Sequence, residues 1–273
     1  MNSNNLKNWA EKKKEPTVPT QIAGSERAAS QTVKAQLALR DLILSGELKP
    51  GDRISELSVV DRLGMSRTPI RMALVRLEDE GFLEAIPSGG FAIKAFSERD
   101  IYDAIELRGT LEGFAARIAA ERGTRGPLLK EMKDTLQQID EIAALPSLSV
   151  DHFSDYVRLN GRFHASLVEA ADSPVLARQI ERALNLPFAS PSGFVMVQAK
   201  LPEASKILTI AQDHHHCVVR AIEDREGARA EALMREHARL AHRNLQLALA
   251  NQGTRDLVPG AVLIRRPVAA ELY

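Results

Sequence analysis

The chain of 273 residues contains a single cysteine, Cys217, and therefore cannot form an internal disulfide. This excludes disulfide-rich scaffolds and cysteine-based zinc fingers, so a metal site here must use histidine, asparagine or carboxylate ligands. The sequence also lacks any run that approaches the roughly 18 apolar residues of a membrane span. Its first residues have no apolar core segment of a secretory signal. We therefore expect a cytoplasmic protein with no membrane partner.

An excess of one charge is missing as well. Lys plus Arg and Asp plus Glu both number 36, which makes the formal net charge zero. Net charge therefore gives no sign of a polyanionic partner, and any affinity for DNA must come from the local placement of cations. The length, with 44% hydrophobic residues, is enough for two domains that each have a core.

The beginning of the chain predicts an arm followed by a helix. Residues 1–29 are polar and without lasting periodicity, which predicts a mobile N-terminal arm. From Gln31 to Ser45 apolar residues recur at helical spacing, and Pro50-Gly51 cannot continue a helix. The apolar stripe of this predicted helix consists of Val33, Leu37, Ile43 and Leu44.

Residues 48–81 predict two helices that meet at a tight turn. Gly64 and Met65 form the turn, Ser66 caps the second helix, and Gly81 ends it because glycine accepts a left-handed backbone. The apolar face of the second helix consists of Ile70, Ala73, Leu74 and Leu77. Three polar side chains are left pointing away from the core: Arg67, Thr68 and Arg71. Such a helix presents cations to a groove.

After Gly81 the periodicity changes from 3.6 to 2. Residues 82–86 and 91–96 predict two short strands, joined by the glycine-rich tip 87–90 that contains Gly89 and Gly90. Helices followed by this hairpin predict a winged helix-turn-helix over residues 30–97. In that fold the second helix enters the major groove of DNA and the wing reaches an adjacent groove.

The rest of the chain predicts an all-α helical bundle over residues 98–250, so that the protein is mainly α. Proline and glycine separate six predicted helices: 98–122, 126–144, 149–171, 174–185, 202–224 and 227–249. Residues 251–273 form a C-terminal tail, in which Ala261 to Ile264 add a strand or dock on a partner. The apolar, irregular segment 186–200 covers a cavity or holds a short helix.

Helical spacing separates the histidines of the bundle. Asn160 and His164, one turn apart, lie within an apolar stripe. The same test selects His215 over His216 and His237 over His242 as inward-facing. Three inward histidines with an amide oxygen suit zinc, nickel or another divalent ion. The alternative is that these buried histidines are only hydrogen-bonded.

Arg108 is unusual because it is a charged residue on the apolar stripe of its predicted helix. An unpaired buried cation costs several kcal/mol, so an anion is expected beside it. Either Glu112 or a carboxylate at a helix end pairs with it within the chain, or Arg108 holds the carboxylate of a ligand.

The winged helix-turn-helix over residues 30–97 is called the head below. Four of its short stretches closely resemble the GntR family of bacterial transcription regulators: 46–51, 63–71, 73–77 and 80–83. Further matches lie in the helical part and resemble that family's FadR-type effector domain, called FCD: Arg108, Leu111-Glu112, Ala115-Ala116, Phe163-His164 and the late histidines. The resemblance covers roughly residues 30–250.

This resemblance implies roles for the residues of the head. Arg67 and Arg71 would read guanine in the major groove, and Ser66 and Thr68 would hold phosphate. Gly89 and Gly90 would let the wing approach DNA, unless they only form an ordinary turn. Many relatives carry an arginine early in the preceding helix where this chain has Leu57, which leaves one DNA contact in doubt.

The resemblance also implies a metal site, a partner and a mechanism. The ligand pattern of the metal-binding relatives maps to Asn160, His164, His215 and His237. Relatives dimerise, which implies a homodimer on a pseudo-palindromic double-stranded operator. We expect a repressor that leaves its operator when a small carboxylate binds near Arg108 and the metal. Residues 186–195 resemble regulators of vanillate catabolism, which suggests an aromatic acid.

Two other classes of function remain as alternatives. One is a dimeric DNA-binding protein that responds to no ligand. The other is a metal-dependent hydrolase fused to a DNA-binding head, against which no HExxH motif and no nucleophile motif is present. We therefore expect that the protein is not an enzyme.

Overall fold

The N-terminal part of the computed structural model consists of three helices and a small sheet. The structure describes residues 20–198, 204–250, 252–255 and 258–265. The elements of this part are α1 Thr20–Leu44, β1 Arg53–Ile54, α2 Glu56–Leu63, α3 Arg67–Asp79, β2 Leu83–Ala85 and β3 Phe91–Ile93. This is the predicted winged helix-turn-helix order, with one strand, β1, that the sequence did not predict.

Helix α1 differs from its prediction in two ways. It begins at Thr20, so residues 20–29 of the predicted arm are helical, and residues 1–19 lie outside the described residues. The predicted stripe is also wrong at Val33 and Leu37, which are 44% and 51% exposed. The buried positions of α1 include Ala35, Leu39 and Ile43, because packing against α3 selects that face of the helix.

The turn between α2 and α3 forms as predicted. Gly64 adopts the left-handed conformation with φ of 63°, and Gly81 has φ of 83° directly after α3. Ser66 is the N-cap residue of α3, but its side chain makes no capping hydrogen bond. Ser55 caps α2 by a reciprocal pair of hydrogen bonds with Ser58.

The three strands form an antiparallel sheet in the order β1-β3-β2. Gly90 lies at the tip of the wing with φ of 83°, and a Cβ atom there would come within 2.8 Å of the Ile54 carbonyl oxygen. Gly90 is therefore required for β1 to pack under the wing. Gly89, with φ of 98°, faces open space.

The C-terminal part is all-helical, as predicted. Its helices are α4 Glu98–Arg122, α5 Gly126–Ala143, α6 Val150–Ala170, α7 Pro174–Asn185, α8 Val195–Gln198, α9 Ala204–Glu223, α10 Gly227–Leu249 and α11 Gln252–Arg255. The ends of the six long helices lie within one residue of the predicted positions, except for the predicted start of α9 at residue 202, which lies outside the described residues. The short α8 lies in the irregular segment 186–200, whose last two residues lie outside the described residues. No helix of the described residues is both long and apolar enough to cross a membrane.

The C-terminal segment docks on the same chain. Ala261–Leu263 form a 3-10 turn, and Ile264 pairs with Phe96 in a single parallel bridge. Leu263 and Ile264 are buried in the hydrophobic core of the head. This core also includes residues of α4 and α10, so the head and the helical domain share one apolar interior.

Helices α4 and α10 pack against each other at very short range. A Cβ atom at Gly109 would lie 2.5 Å from the Cβ of Ala238, and one at Gly113 would lie 2.8 Å from Cγ of Arg235. Only glycine permits this approach. The short separation brings the inward face of α10 next to Arg108 and Glu112 of α4.

We predict that Gly109→Ala destabilises the protein by about 1–3 kcal/mol, because the added methyl group has no room against Ala238. Denaturant unfolding followed by circular dichroism measures this change. The matched control is Gly161→Ala on the exposed face of α6, where a Cβ meets nothing within 4 Å. Its helix propensity should stabilise the protein by about 0.5–1 kcal/mol. Equal stability of the two variants would contradict the packing role of Gly109.

Candidate metal centre and nucleic-acid interface

Helix α3 presents its cations on a rigid support. Its predicted apolar face is fully buried in the hydrophobic core of the head: Ile70, Ala73, Leu74 and Leu77 are 0% exposed. Arg67, Thr68 and Arg71 are exposed on the other side, as their spacing predicted. Because the buried face fixes the rotation of α3, the direction in which these three side chains project is fixed as well.

A shallow groove runs along the exposed side of α3. It is lined by Glu56, Arg67, Thr68, Arg71, Met72 and Val75. Arg71 Nε lies 3.6 Å from the Glu56 carboxylate, and both side chains are exposed. An exposed ion pair at this distance contributes little to the stability of the fold. Arg71 can therefore leave Glu56 and contact a nucleic acid at a low cost in free energy. Leu57 is also exposed on α2, where a relative's arginine would stand.

Three histidines from three helices meet inside the helical domain. His164 of α6, His215 of α9 and His237 of α10 are all buried, and each offers a ring nitrogen within 4.8 Å of the others. The Nε2 atoms of His215 and His237 are 3.2 Å apart. Periodicity had selected these three as inward-facing, and their side chains do face one another.

Burial keeps the imidazole rings of His215 and His237 neutral. It lowers the pKa of both His215 and His237 well below the usual 6.5, and the neighbouring histidines lower these pKa values further. Neutral imidazoles carry lone pairs, and lone pairs are what a metal ligand requires.

Polar partners orient two of the rings. His164 Nδ1 lies 2.9 Å from Oε1 of Glu112, and His215 Nδ1 lies 3.1 Å from Oε1 of Gln212. In each ring a proton on Nδ1, donated to that oxygen, leaves Nε2 free to bind a metal. Helical spacing alone gave Gln212 no role, although its side chain is buried.

Several buried polar atoms near the histidines, Nδ1 of His237 among them, lack a hydrogen-bond partner within the part of the chain that the structure describes. Asn160 Oδ1 and His164 Nε2 have no hydrogen-bond partner among the residues that the structure describes, although Asn160 Nδ2 donates to Ser192 Oγ at 3.0 Å. A buried polar atom without a partner costs roughly 1–3 kcal/mol. A divalent cation bound by these two atoms and the other two histidines would remove that cost, so the donor set fits such an ion.

Arg108 pairs with Glu112 inside the core. Its Nη1 donates to Oε2 of Glu112 at 2.7 Å, and both side chains are almost completely buried. Burial alone raises the pKa of Glu112, but His164 and Arg108 outweigh it and lower this pKa from 4.5 to about 2. The pair within the chain, one of the two predicted alternatives, is therefore present. Arg108 Nε has no partner within the described residues.

A small cavity adjoins the histidines and Arg108. Polar atoms at its wall come from Arg108, Asn160, His237 and Asn244, whose Oδ1 also lacks a partner within the described residues. The other lining residues are Tyr156 and the apolar Pro191, Val195, Ile207, Leu208, Ala211, Leu240 and Ala241. Pro191 and Val195 belong to the segment that was predicted to cover a cavity. The space combines apolar walls with a few polar groups, but its volume is about 20 Å³, enough for roughly one water, so a ligand the size of an aromatic acid requires the cavity to widen.

The other histidines near the cluster are differently placed. His216 is half-buried and contacts the carboxylate of Asp140 at 3.0 Å, and His242 lies edge-on to the ring of Tyr102. His214 is half-buried, with its ring centroid 6.1 Å from that of His237. None of the three belongs to the group whose ring nitrogens converge.

Comparison with family models gives two matches. The model described as FCD domain matches residues 103–240, slightly more than half of the chain. The model described as bacterial regulatory proteins, gntR family, matches residues 30–93. The two matches coincide with the helical domain and the winged head.

Individual relatives carry regulatory names. An uncharacterized HTH-type transcriptional regulator of Agrobacterium vitis is 32% identical over 56% of this chain and 88% of its own length. A probable D-xylose utilization operon transcriptional repressor of Paenarthrobacter nicotinovorans is 28% identical over 79% of this chain and 89% of its own. The solved structure of E. coli McbR/YncC is 19% identical, with a TM-score of 0.55 over 80% of this chain and 96% of that one, and shares the fold.

Proposed function

This chain belongs to the GntR family of bacterial transcriptional regulators and carries an FCD domain, and we propose that it is a repressor released from its operator by a small carboxylate. Relatives with these domains are named as regulators, so the chain is a regulator rather than an enzyme. The observation that carries the proposal is the convergence of three buried histidines beside Arg108 and a small cavity.

The proposed DNA contacts lie on α3 and the wing. Arg67 and Arg71 read guanine in the major groove through bidentate hydrogen bonds, each of which contributes about 1–3 kcal/mol of discrimination. Ser66 and Thr68 at the start of α3 hold phosphate, helped by the backbone amides of the helix N-terminus. Gly89 leaves the wing tip without a side chain, so that the backbone itself approaches the duplex.

We predict that Arg71→Ala weakens specific operator binding by about 1–3 kcal/mol per half-site, because it loses a base contact. Fluorescence anisotropy on an operator selected by the parent protein from random duplex DNA measures the loss. Arg178→Ala, an exposed arginine on α7, is the control and should bind like the parent. Unchanged binding of the Arg71 variant would show that α3 does not read the operator.

The proposed metal ligands are Asn160, His164, His215 and His237. FCD domains commonly bind metal, and a zinc or nickel ion with open coordination positions would supply a positive charge for a ligand carboxylate. The metal-binding relatives that this chain resembles carry Asp or Asn at the position of Asn160, and asparagine brings one negative charge fewer than aspartate to the ligand set. We expect weaker affinity for the ion as the consequence.

We predict that His164→Ala combined with His237→Ala abolishes metal binding, because half of the ligand set is lost. Elemental analysis of the purified, zinc-loaded protein measures the number of zinc ions bound per chain. His242→Ala, on the same helix as His237 but outside the cluster, should keep the parent's content. Equal zinc in the double variant and the parent would refute this ligand set.

The effector is proposed to bind in the cavity beside the metal. Arg108 keeps an unpartnered Nε among the described residues and faces a space with apolar walls, which suits a carboxylate attached to an apolar body. An aromatic acid such as vanillate is the specific candidate. To move a two-state equilibrium from 1:99 to 99:1, the effector must bind the released state about 5.5 kcal/mol more tightly. The alternative, a DNA-binding protein without a ligand, predicts no effect of acids on operator affinity.

The outer face of α4 supports the proposed homodimer. Leu107 and Phe114 on this face are 48% and 46% exposed, and Leu111 lies between them. Two copies of α4 that cross antiparallel between Thr110 and Leu111 would place Leu107 opposite Phe114 of the other copy and would bring Asp103 near Arg117 of the other copy. Such self-complementarity is what a two-fold interface requires.

We predict that Phe114→Arg shifts the protein from dimer to monomer, because the introduced cation of each copy would be buried against the apolar side chain of Leu107 in the other copy. Sedimentation velocity over a range of concentrations measures the change. Val150→Arg at the start of α6, where Val150 is 61% exposed, is the control and should stay dimeric. A Phe114→Arg protein that dimerises like the parent would place the interface elsewhere.

A further inference from the structure

Helix α5 contributes no atom to the histidine cluster, yet it is joined to the cluster through one buried side chain. Gln212 of α9 lies between α5 and His215, one turn before His215 on the same helix. We infer that Gln212, held by α5, is a positioning residue that fixes the tautomer of His215 for metal binding. This inference rests on the metal site of the proposed function.

The orientation of the Gln212 amide follows from its neighbours. Its Nε2 donates to the carbonyl oxygen of Leu136 at 2.9 Å and to Oδ1 of Asp140 at 2.8 Å. Both neighbours are oxygens that can only accept. A flipped amide would place its oxygen against these two acceptors, so the nitrogen must lie on this side.

The Gln212 carbonyl oxygen is thereby forced toward His215. It lies 3.1 Å from His215 Nδ1, and this contact is a hydrogen bond only if Nδ1 carries the proton. A neutral imidazole has a single N–H, so Nε2 of His215 keeps its lone pair. This Nε2 lies 3.2 Å from Nε2 of His237 and faces the cluster. Gln212 therefore leaves His215 in the one neutral form that can bind a metal at Nε2.

The hydrogen-bond chain continues to the protein surface. Nε2 of His216 lies 3.0 Å from both carboxylate oxygens of Asp140 and 3.2 Å from Nε2 of Gln212. The side chains of Asp140 and His216 are nearly half exposed, whereas Gln212 and His215 are buried. Asp140 is thus an accessible anchor for a buried amide, and its removal should loosen Gln212 without opening the core.

A purely structural role for Gln212 makes a different prediction. In that case the amide only joins α5 to α9, and its loss lowers stability while the tautomer of His215 and the metal affinity stay the same. Outer partners of metal-binding histidines typically change metal affinity by about 10–100-fold when they are removed. The zinc affinity and the tautomer of His215, measured together, therefore distinguish a positioning role of Gln212 from a purely structural one.

The test uses Gln212→Met, which keeps the approximate shape and removes both the donor and the acceptor. Zinc affinity is measured by competition with a chelator, and we expect a Kd about 10–100-fold higher at an unchanged stoichiometry. Gln246→Met, an exposed glutamine of α10, is the matched control and should bind zinc like the parent. Nitrogen-15 NMR of the metal-free proteins should show His215 protonated at Nδ1 in the parent and mixed tautomers in the variant.

The outcomes are distinguishable. A parent that binds no zinc refutes the proposed metal site, whereas the NMR comparison still decides whether Gln212 fixes the tautomer. A parent that binds zinc, with a Gln212→Met variant of equal affinity and equal tautomer, overturns the positioning role. If Gln212→Met does not fold, Asp140→Ala takes its place and should raise the Kd by a smaller factor, and an unchanged Kd and tautomer would then overturn the inference.

Discussion

The buried pair of Arg108 and Glu112 is the interaction on which the helical domain depends. Two charges taken out of water are costly unless each finds a good partner, and breaking such a pair leaves an uncompensated charge. Glu112 satisfies Arg108 with one oxygen and His164 with the other. A single carboxylate therefore joins α4 to α6 and also sets how one histidine of the cluster faces its neighbours. Gly109 lets α10 approach close enough to add His237.

The same helices carry the head. Residues of α4 and α10 belong to the apolar core that holds the winged domain, and Ile264 pairs with Phe96 at the connection between the two domains. Protein interiors are densely packed, so a helix in such a core moves with its neighbours. A ligand that shifts α4 at Arg108 or α10 at His237 would change the surface on which the head rests. This gives the proposed release of the operator a physical route.

Within the head, the turn before α3 and helix α3 itself were the most predictable parts. Gly64 and Gly81 mark turns of the head because a left-handed backbone is nearly exclusive to glycine, and Ile70, Leu74 and Leu77 mark one face of α3 by spacing alone. Helix α1 was less predictable. It has apolar residues on two faces, and the choice of the face with Leu39 over the face with Leu37 depends on where α3 lies. The two-residue strand β1 has no periodicity to detect.

At the candidate site, the proposed ligand side chains could be identified as inward-facing before the structure was known. Helical spacing selected Asn160, His164, His215 and His237, since periodicity reports the side of a helix on which a residue lies. It cannot report what lies across from that side. The packing of the helices was needed to show that Glu112 serves both Arg108 and His164, and that Gln212 is buried against α5 and bonded to His215. These contacts join residues on different helices or depend on a neighbouring helix, so they exist only once the helices have packed.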